Sequence, residues 1–513
     1  MLSMKHSSIY TLTKAIRNDL LSFVDDQGSI RQRCNSRGLE SLLMLALLRR
    51  MHYLPQVQRT LARFLERYRQ RDTLNPLERC LIANTPPAQL PGDERKQWMF
   101  VTYFALIHAT PYLPPDEIAR IRYHGQASWV CLTLCAIKII NAHGNAQPIN
   151  AQDRVFLLDQ LAHGSAREVW EGHLSAHLLS LLALHAVAPH HPLLILGIHS
   201  LLEQRNADGG LPFIPHMTVY LSAFAGLALS KTGRRSPRLR QIADYLVSQQ
   251  ALDGAWAYTE SVRQTDIDST CLAIECLQHI DPARYASSIR RGQDYLARMP
   301  NLDGGFATYL RHHPSETTMT ANVVMVLAPA GRAYGEVLDN ALDFLLGAQH
   351  DDGTFERSWS LCATFAIARV SAALRVSGRP GESVLARSAA YLHQAQNQDG
   401  GWGQVAGQAS DVISSAHALS ALSYGGYSDS VQRGLSYLKK HRHTRRHLLA
   451  DQAAPRPIPY QFPVLATIFT LNALADVLTC ASSRPPIDVS GTSLPHGRGT
   501  AACSQSPHEC RVP

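Results

Sequence analysis

The sequence predicts an all-α protein, and three observations carry that expectation. Apolar residues recur three and four apart along most of the 513 residues, and no stretch shows the period-two alternation of a half-buried strand. From about residue 200 an aromatic-aliphatic pair returns at intervals of 46 to 50 residues, in most copies ahead of an Asp-Gly turn. The chain is too long for one ordinary domain and has the length for two cores of roughly 200 to 250 residues each.

Composition narrows the function classes. Hydrophobic residues make up 45% and charged residues 18%, which leaves room for an apolar cavity or a membrane-contacting patch. The net charge of +8 comes from scattered Lys and Arg residues with no nucleic-acid-binding motif, so nucleic acid is not an expected partner; attraction to anionic substrates or lipid surfaces fits better. The densest basic run, Lys439 to His447, reads as a solvated face. Ten cysteines lack paired spacing, and Cys131, Cys135, Cys271, Cys276 and Cys362 stand in apolar helical stretches, as reduced core thiols of a cytoplasmic protein would. The N-terminus has no apolar signal core, and the longest apolar run, Leu178 to Leu202, is broken by His185, by Pro189 to Pro192 and by His199. The chain is not expected to span a membrane, though peripheral contact is compatible with it. Its oligomeric state is not written in the sequence.

Residues 1 to 210 read as helices, for example over 38–54, 56–69, 95–110 and 127–142, punctuated by Pro clusters at 86–87 and 111–115. They carry no chemistry of their own. His173 and His177 have a metal-ligand spacing on one helix face, but no third ligand is in view, and a structural role is the expectation.

The repeat begins near residue 204. Tyr245-Leu246, Tyr295-Leu296, Phe344-Leu345, Tyr391-Leu392 and Tyr437-Leu438 end helices, and turns follow at Asp253-Gly254, Asp303-Gly304, Asp352-Gly353 and Asp399-Gly400, with an earlier copy at Asp208-Gly209. In such a turn Gln ties down a helix end, Asp caps, Gly supplies a positive φ angle, and the aromatic ring is expected to cover the turn from outside. A period near 48 holds two helices of about 15 to 20 residues with their connections. Stacked hairpins of that size close into a barrel of inner and outer helices, and the turns are scaffold.

Just after one turn stands Gln264-Thr265-Asp266-Ile267-Asp268-Ser269-Thr270, two carboxylates at the start of an apolar helical pattern. By itself an Asp-x-Asp there is a helix cap. The Gln-x-x-Asp-Gly-x-Trp turns, the acidic pair at a following helix start and the chain length together resemble the class II terpene cyclases, the superfamily of squalene-hopene cyclase and of bacterial diterpene and sesquiterpene cyclases. The resemblance spans roughly residues 200 to 480. It implies two α-barrels: residues 1–210 as the second barrel, with its first helix packing on the other domain, residues 211–480 as the catalytic barrel, and residues 481–513, rich in Ser, Pro and Gly, as a disordered tail. It also implies a deep apolar cavity for a polyprenyl chain.

The family's acid motif is Asp-x-Asp-Asp followed by Thr, whose middle Asp donates the proton. The resemblance places Asp268 as donor, Asp266 beside it, and Ser269 where the last Asp would stand. A hydroxyl there can still orient the acid, so attenuation or retuning is implied rather than loss. Chemistry supports the same residue: protonating an alkene requires an undissociated acid in a dry site. Burial and a neighbouring carboxylate raise a carboxyl pKa by units, whereas a helix N-terminus favours the anion by only ~0.3 to 1 kcal/mol. Desolvation together with Asp266 is expected to win.

Carbocations need non-nucleophilic stabilisation, and each desolvated aromatic face supplies ~1 to 2 kcal/mol. The candidates are Tyr258, Phe306, Tyr309, Trp359, Phe365, Tyr460 and Phe462, with Trp359 and Phe365 preferred; Trp256 and Trp402 read as structural. Asn322, after Pro314-Ser315, resembles a residue that supports the acid in bacterial diterpene cyclases. Asp411, Ser414 and His417 stand at an equivalent helix start.

No Asp-Asp-x-x-Asp is present, so the expected reaction begins by protonation and keeps any diphosphate. The length favours farnesyl or geranylgeranyl diphosphate, although the segment around Arg456 to Pro463 lacks the lysine sought for a diphosphate. Arg311, His312, His313 and Arg357 are the substitutes. No metal ligand set or certain cofactor emerges; a Mg²⁺ bridge to a diphosphate has no motif of its own. Three alternatives stay open: a cyclase of a non-diphosphate polyprene, a protein prenyltransferase β-subunit-like barrel, which would need a zinc set that Asp268 and Cys271 do not match, and a non-catalytic helical-repeat binding protein.

Overall fold

Two kinds of helix alternate after residue 217. Thr218–Lys231, Ile267–Ile280, Thr317–Leu327, Ala363–Ser377, Val412–Ser423 and Val464–Ser482 are apolar on nearly every face and buried along most of their length. Pro237–Ser248, Ala286–Ala297, Gly335–Gly347, Glu382–Ala395 and Asp429–His441 bury one face and leave the other to solvent. That is the pattern of helices lining the inside and the outside of a barrel. Each inner helix packs on the next, and Val464–Ser482 packs back on Thr218–Lys231, so the inner ring is closed. The place of a sixth outer helix is taken by the N-terminal Leu2–Leu21, which packs on Val464–Ser482 and Thr218–Lys231. This computed structural model describes residues 2–71, 74–90, 92–163, 168–233, 236–379, 381–424, 429–441 and 460–482. The expected tail beyond residue 482, most of the basic run after His441 and Arg456 lie outside them.

A second core, built from residues between Leu39 and Leu211, belongs to helices such as Gly38–Arg50, Glu94–Leu106, Ser128–Gly144 and Leu174–Val187. Residues Ile9 to Cys34 pack instead with the repeat core. The chain crosses between the two cores at a two-stranded antiparallel ribbon, Ser36–Arg37 with Leu211–Pro212. The buried Arg37 fastens this crossing: its Nε donates to Glu40 Oε2 at 2.9 Å, and its guanidinium lies 4.4 Å from the Phe213 ring centre.

The turns explain the repeat. Asp253, Asp303 and Asp399 each accept a backbone N–H two residues on, at 2.9 to 3.0 Å, and Gly254 holds a φ of +95°, where an added Cβ would meet Arg291 O at 2.6 Å. Gln250 Nε2 donates to Gly254 O at 2.7 Å and to Ser288 O at 2.9 Å, tying its own turn to the next outer helix; Gln349 and Gln396 repeat the pattern. The aromatic ring does not cover the turn from outside. Trp256 and Trp402 are fully buried, each donating Nε1–H to the outer helix that precedes it, at Leu246 O (2.6 Å) and Leu392 O (2.7 Å). A buried indole needs that partner, and placing it inside fills the joint between hairpins.

Candidate active site

Three of the turns, at Trp256, Phe306 and Trp402, are stitched to the inner helix that follows. Asp266 N donates to Trp256 O at 3.0 Å, and Thr270 Oγ1 accepts from Trp256 N at 3.0 Å while donating to Asp266 O at 2.6 Å. Thr270 is thus part of the scaffold. Asp266 is the N-cap of Ile267–Ile280: its Oδ1 accepts from Ser269 N at 2.6 Å. Asp268, in the first turn of the same helix, is spared capping and points into a chamber.

That chamber is walled by aromatic side chains from both cores. Tyr220, Tyr258, Tyr309, Trp359 and Tyr460 come from the repeat barrel, and Trp129 and His173 from the other, with Phe213 at the crossing. Trp359 stands edge-on to Tyr309, ring centres 6.0 Å apart, and its Nε1 donates to Thr308 Oγ1 at 2.7 Å. Tyr258 is anchored by donating to Glu171 O at 3.0 Å, and Trp129 hydrogen-bonds the Tyr309 phenol. Tyr309, Trp359, Trp129 and His173 also line a wider vestibule of about 620 Å³ between the two cores, so the chamber opens into it. Arg95 and Lys96 from the first core and His313 and Glu316 from the barrel line the vestibule.

Asp268 keeps some open surface, and that surface faces the chamber. Burial pushes its carboxyl up; the Arg369 charge pulls it down, Glu316 pushes it up again, and hydrogen bonds from Asn322 and Tyr220 pull it down, leaving it at about 7. The expected order of influences is corrected here, since the carboxylate that weighs most on Asp268 is Glu316 rather than Asp266. Asp266 is itself raised to about 7, by burial against the backbone hydrogen bond of Ser269 and with Asp268 adding to the rise. Ser269 Oγ and Asp266 Oδ2 are both buried, and neither completes a hydrogen bond of good geometry. Behind the acid, Asn322 Nδ2 donates to Asp268 Oδ1 at 2.8 Å, Arg369 Nε donates to Asn322 Oδ1 at 2.5 Å, and Arg369 Nη2 reaches Glu275 Oε2 at 2.9 Å. A carboxyl at about 7 is about half undissociated at neutral pH, so this site can deliver a proton into the space its aromatic neighbours enclose.

The structure brings together Asp266, Asp268, Ser269, Asn322, Tyr258, Tyr309, Trp359 and Tyr460. It separates three others. Phe306 is fully buried in its turn, with its N–H on Thr320 Oγ1 at 3.0 Å, in the same role as Trp256, and it lines neither space. Phe365 packs on His417, ring centres 4.9 Å apart, instead of lining the chamber. Phe462 is buried in the core. Among the cationic candidates only His313 faces the vestibule; Arg311 and His312 are exposed, and Arg357 donates to Leu361 O at 3.0 Å. His173 accepts the Ala176 N–H at Nδ1, stacks on Trp129 at 4.9 Å, and is held neutral by burial, its pKa pushed down to about 3. His177 accepts the Trp170 N–H at 3.1 Å. Both contacts are structural. Among the described residues no group of three or more His, Cys, Asp or Glu side chains is arranged to hold a metal ion, and no helix is long and apolar enough to cross a membrane.

Sequence reasoning missed Trp129, Tyr220, Glu275, Arg369, Arg95 and Lys96, and it singled out His173 without placing it on the chamber wall. Only Tyr220 had a usable signal, since aligning the inner-helix starts sets it in the register of Ser269.

Comparison with known proteins agrees with this geometry. A family profile, the squalene-hopene cyclase C-terminal domain, matches residues 311–477. The drimenyl diphosphate synthase of Streptantibioticus cattleyicolor is 34% identical over 503 residues, covering 90% of this chain and 94% of that protein. The drimenyl diphosphate synthase of Streptomyces showdoensis is 33% identical over 497 residues, covering 89% and 92%. The ent-copalyl diphosphate synthase of Streptomyces platensis shares the fold with a TM-score of 0.59 at 16% identity, over 92% of this chain and 99% of that one. With a double α-barrel, repeat turns from Asp208 to Trp402 and near full-length relatives of this kind, the chain belongs to the class II terpene cyclases.

Proposed function

We propose that this cyclase converts a linear C15 prenyl diphosphate, farnesyl diphosphate, into a cyclic diphosphate of the drimenyl type, with Asp268 as the Brønsted acid. The observation that carries the reading is the position of Asp268: an acid raised far enough to keep a substantial protonated fraction near neutral pH, on the wall of an aromatic chamber that opens into a vestibule lined by Arg95 and Lys96. The near full-length likeness to two drimenyl diphosphate synthases supports the C15 chain over a longer one.

In this mechanism the hydrocarbon end lies in the chamber and the diphosphate in the vestibule, near Arg95 and Lys96, which attract it. The Asp268 O–H bond breaks as a C–H bond forms at the terminal alkene, leaving a carboxylate and a tertiary cation. Ring closure moves the cation along the chain under the faces of Tyr258, Tyr309, Trp359 and Tyr460; transfer of a proton from the final cation to a water molecule on the vestibule side, forming the C=C bond, ends the sequence, and solvent returns a proton to Asp268. The C–O bond to the diphosphate is never broken.

Incubating the purified protein with farnesyl diphosphate, geranylgeranyl diphosphate and squalene, with dephosphorylation and product analysis, tests the proposal. A bicyclic C15 alcohol from farnesyl diphosphate, absent with Asp268→Asn, is expected. Release of inorganic diphosphate during turnover, or undiminished product from the Asn variant, would sink it.

A further inference from the structure

Asp268 is held from behind by a chain of three side chains that no local motif contains. Asn322 lies on Thr317–Leu327, Arg369 on Ala363–Ser377, and Glu275 on the acid's own helix. Arg369 and Glu275 are nearly inaccessible, with side chains 11% and 3% exposed, and their ion pair spans 2.9 Å. A guanidinium only donates hydrogen bonds. With Arg369 Nε on Asn322 Oδ1, the amide cannot be turned round, so its NH₂ must face Asp268 Oδ1. The hydroxyl oxygen of a carboxylic acid is a weaker acceptor than its carbonyl oxygen, so an NH₂ donor on Oδ1 favours Oδ1 as the carbonyl oxygen of the undissociated acid.

We propose that the Arg369–Glu275 pair acts through Asn322 to place the reactive proton of Asp268 on Oδ2, and that Glu275 neutralises the guanidinium so that it does not ionise the acid before substrate arrives. The inference rests on Asp268 being the proton donor. Arg369 and Glu275 are positioning residues, since neither lines the chamber.

Burial pushes the Glu275 carboxyl up, but Arg369, Lys231 and His279 outweigh it and hold it below its ordinary value, so the pair is charged on both sides. Arg369 is the largest influence pulling the Asp268 carboxyl down. Its charge is therefore a hazard to the acid unless a carboxylate compensates it at close range. The other groups facing Asp268 are Asp266 and Cys271 on its own helix, Tyr220 on Thr218–Lys231 and Glu316 at the cap of Thr317–Leu327; His417, neutral through burial, faces Arg369. None of these neutralises Arg369 as directly as Glu275 does. When Asp268 gives up its proton, the Asn322 N–H and the guanidinium behind it stabilise the carboxylate left behind.

The test is the pH dependence of turnover with farnesyl diphosphate for Glu275→Gln and for the paired apolar replacement Arg369→Met with Glu275→Leu. Glu275→Gln is expected to move the high-pH limb of kcat down by about one unit, with KM changed less than about threefold. The paired variant frees the Asn322 amide and is expected to lower kcat by about tenfold or more without moving the limb down. A pair that only supports the fold would change the yield of folded protein and leave the limb and kcat in place. That result in either variant, or an upward shift with Glu275→Gln, overturns the inference. If Glu275→Gln does not fold, the paired variant decides, because replacing a buried ion pair by apolar side chains leaves no orphaned charge. Parent protein that forms no cyclic product would refute the role of Asp268 itself, a separate outcome.

Discussion

Two corners of the barrel are near copies of each other. At one, Asp266 bridges Trp256 and caps Ile267–Ile280; at the other, Asp411 bridges Trp402 and caps Val412–Ser423. Both carboxylates are buried and accept the N–H of a serine three residues on, at 2.6 and 2.8 Å, and burial raises both, to about 7 and about 6. A raised carboxyl at a helix start therefore recurs at two corners and is not by itself a sign of chemistry. The corners differ two residues after the cap, where one has Asp268 and the other Ile413, and in what they face: an aromatic chamber at the first corner only. They differ also at the serine. Ser414 Oγ donates to Asp411 Oδ2 at 2.6 Å, whereas the Ser269 hydroxyl meets the Asp266 carboxyl only in a contact that falls short of good hydrogen-bond geometry. The scaffold supplies a high-pKa environment at both of these corners, and one added carboxylate beside the aromatic chamber is placed to use it.

The largest expected break in this comparison is Asp268→Asn. Removing a general acid costs about 10² to 10⁴ in rate, so cyclic product should fall by that factor, measured by product analysis at matched folded protein. The opposite corner has no such residue, and Ile413→Val should leave turnover within about twofold.

Next in size is pH. Turnover should decline as pH rises through about 7, as Asp268 loses its proton. Stability follows the same sign: a carboxyl raised from 3.8 in the fold binds protons more tightly there than in the unfolded chain, so stability present below about pH 4 is lost as pH rises through about 7. Thermal unfolding should accordingly show Asp268→Asn melting above the parent at pH 8 and converging with it near pH 4.

Smaller effects separate the caps from the acid. Asp411→Ala should cost about 0.5 to 2 kcal/mol of stability in denaturant unfolding, while turnover per folded molecule stays near the parent's. The serines give the finest contrast. Ser414→Ala loses a buried hydrogen bond of good geometry and should cost about 1 kcal/mol, whereas Ser269→Ala loses only the poorer contact with Asp266 and should cost less in the same measurement. A reversed order would show that the two corners do not differ as drawn.

Much of this was legible in the chain. The Gln, Asp-Gly and Trp turns announce hairpins because each turn is held by contacts within a few residues or one repeat away, as with Gln250 on Gly254 and Ser288. Asp266, Asp268 and Ser269 were found together because they share one helical turn, and Tyr309 and Trp359 because loops before inner helices open to the chamber. Phe306 misled because its position in the turn is that of Trp256, a core position, although its residue type suits a cation site.

What the sequence by itself determined is therefore local and periodic: helices of two kinds, the turns between them, and an acidic pair at one helix start. Such features follow from hydrogen bonds and burial within about 50 residues, which a linear pattern can record. Only the tertiary structure decided that Trp129 and His173 close the chamber, that the N-terminal helix completes the outer ring, and that Glu316 and Arg369 set the acidity of Asp268. Those contacts join residues about 50 to 460 positions apart, and desolvation and Coulomb interactions act over a few ångströms of space whatever the separation along the chain.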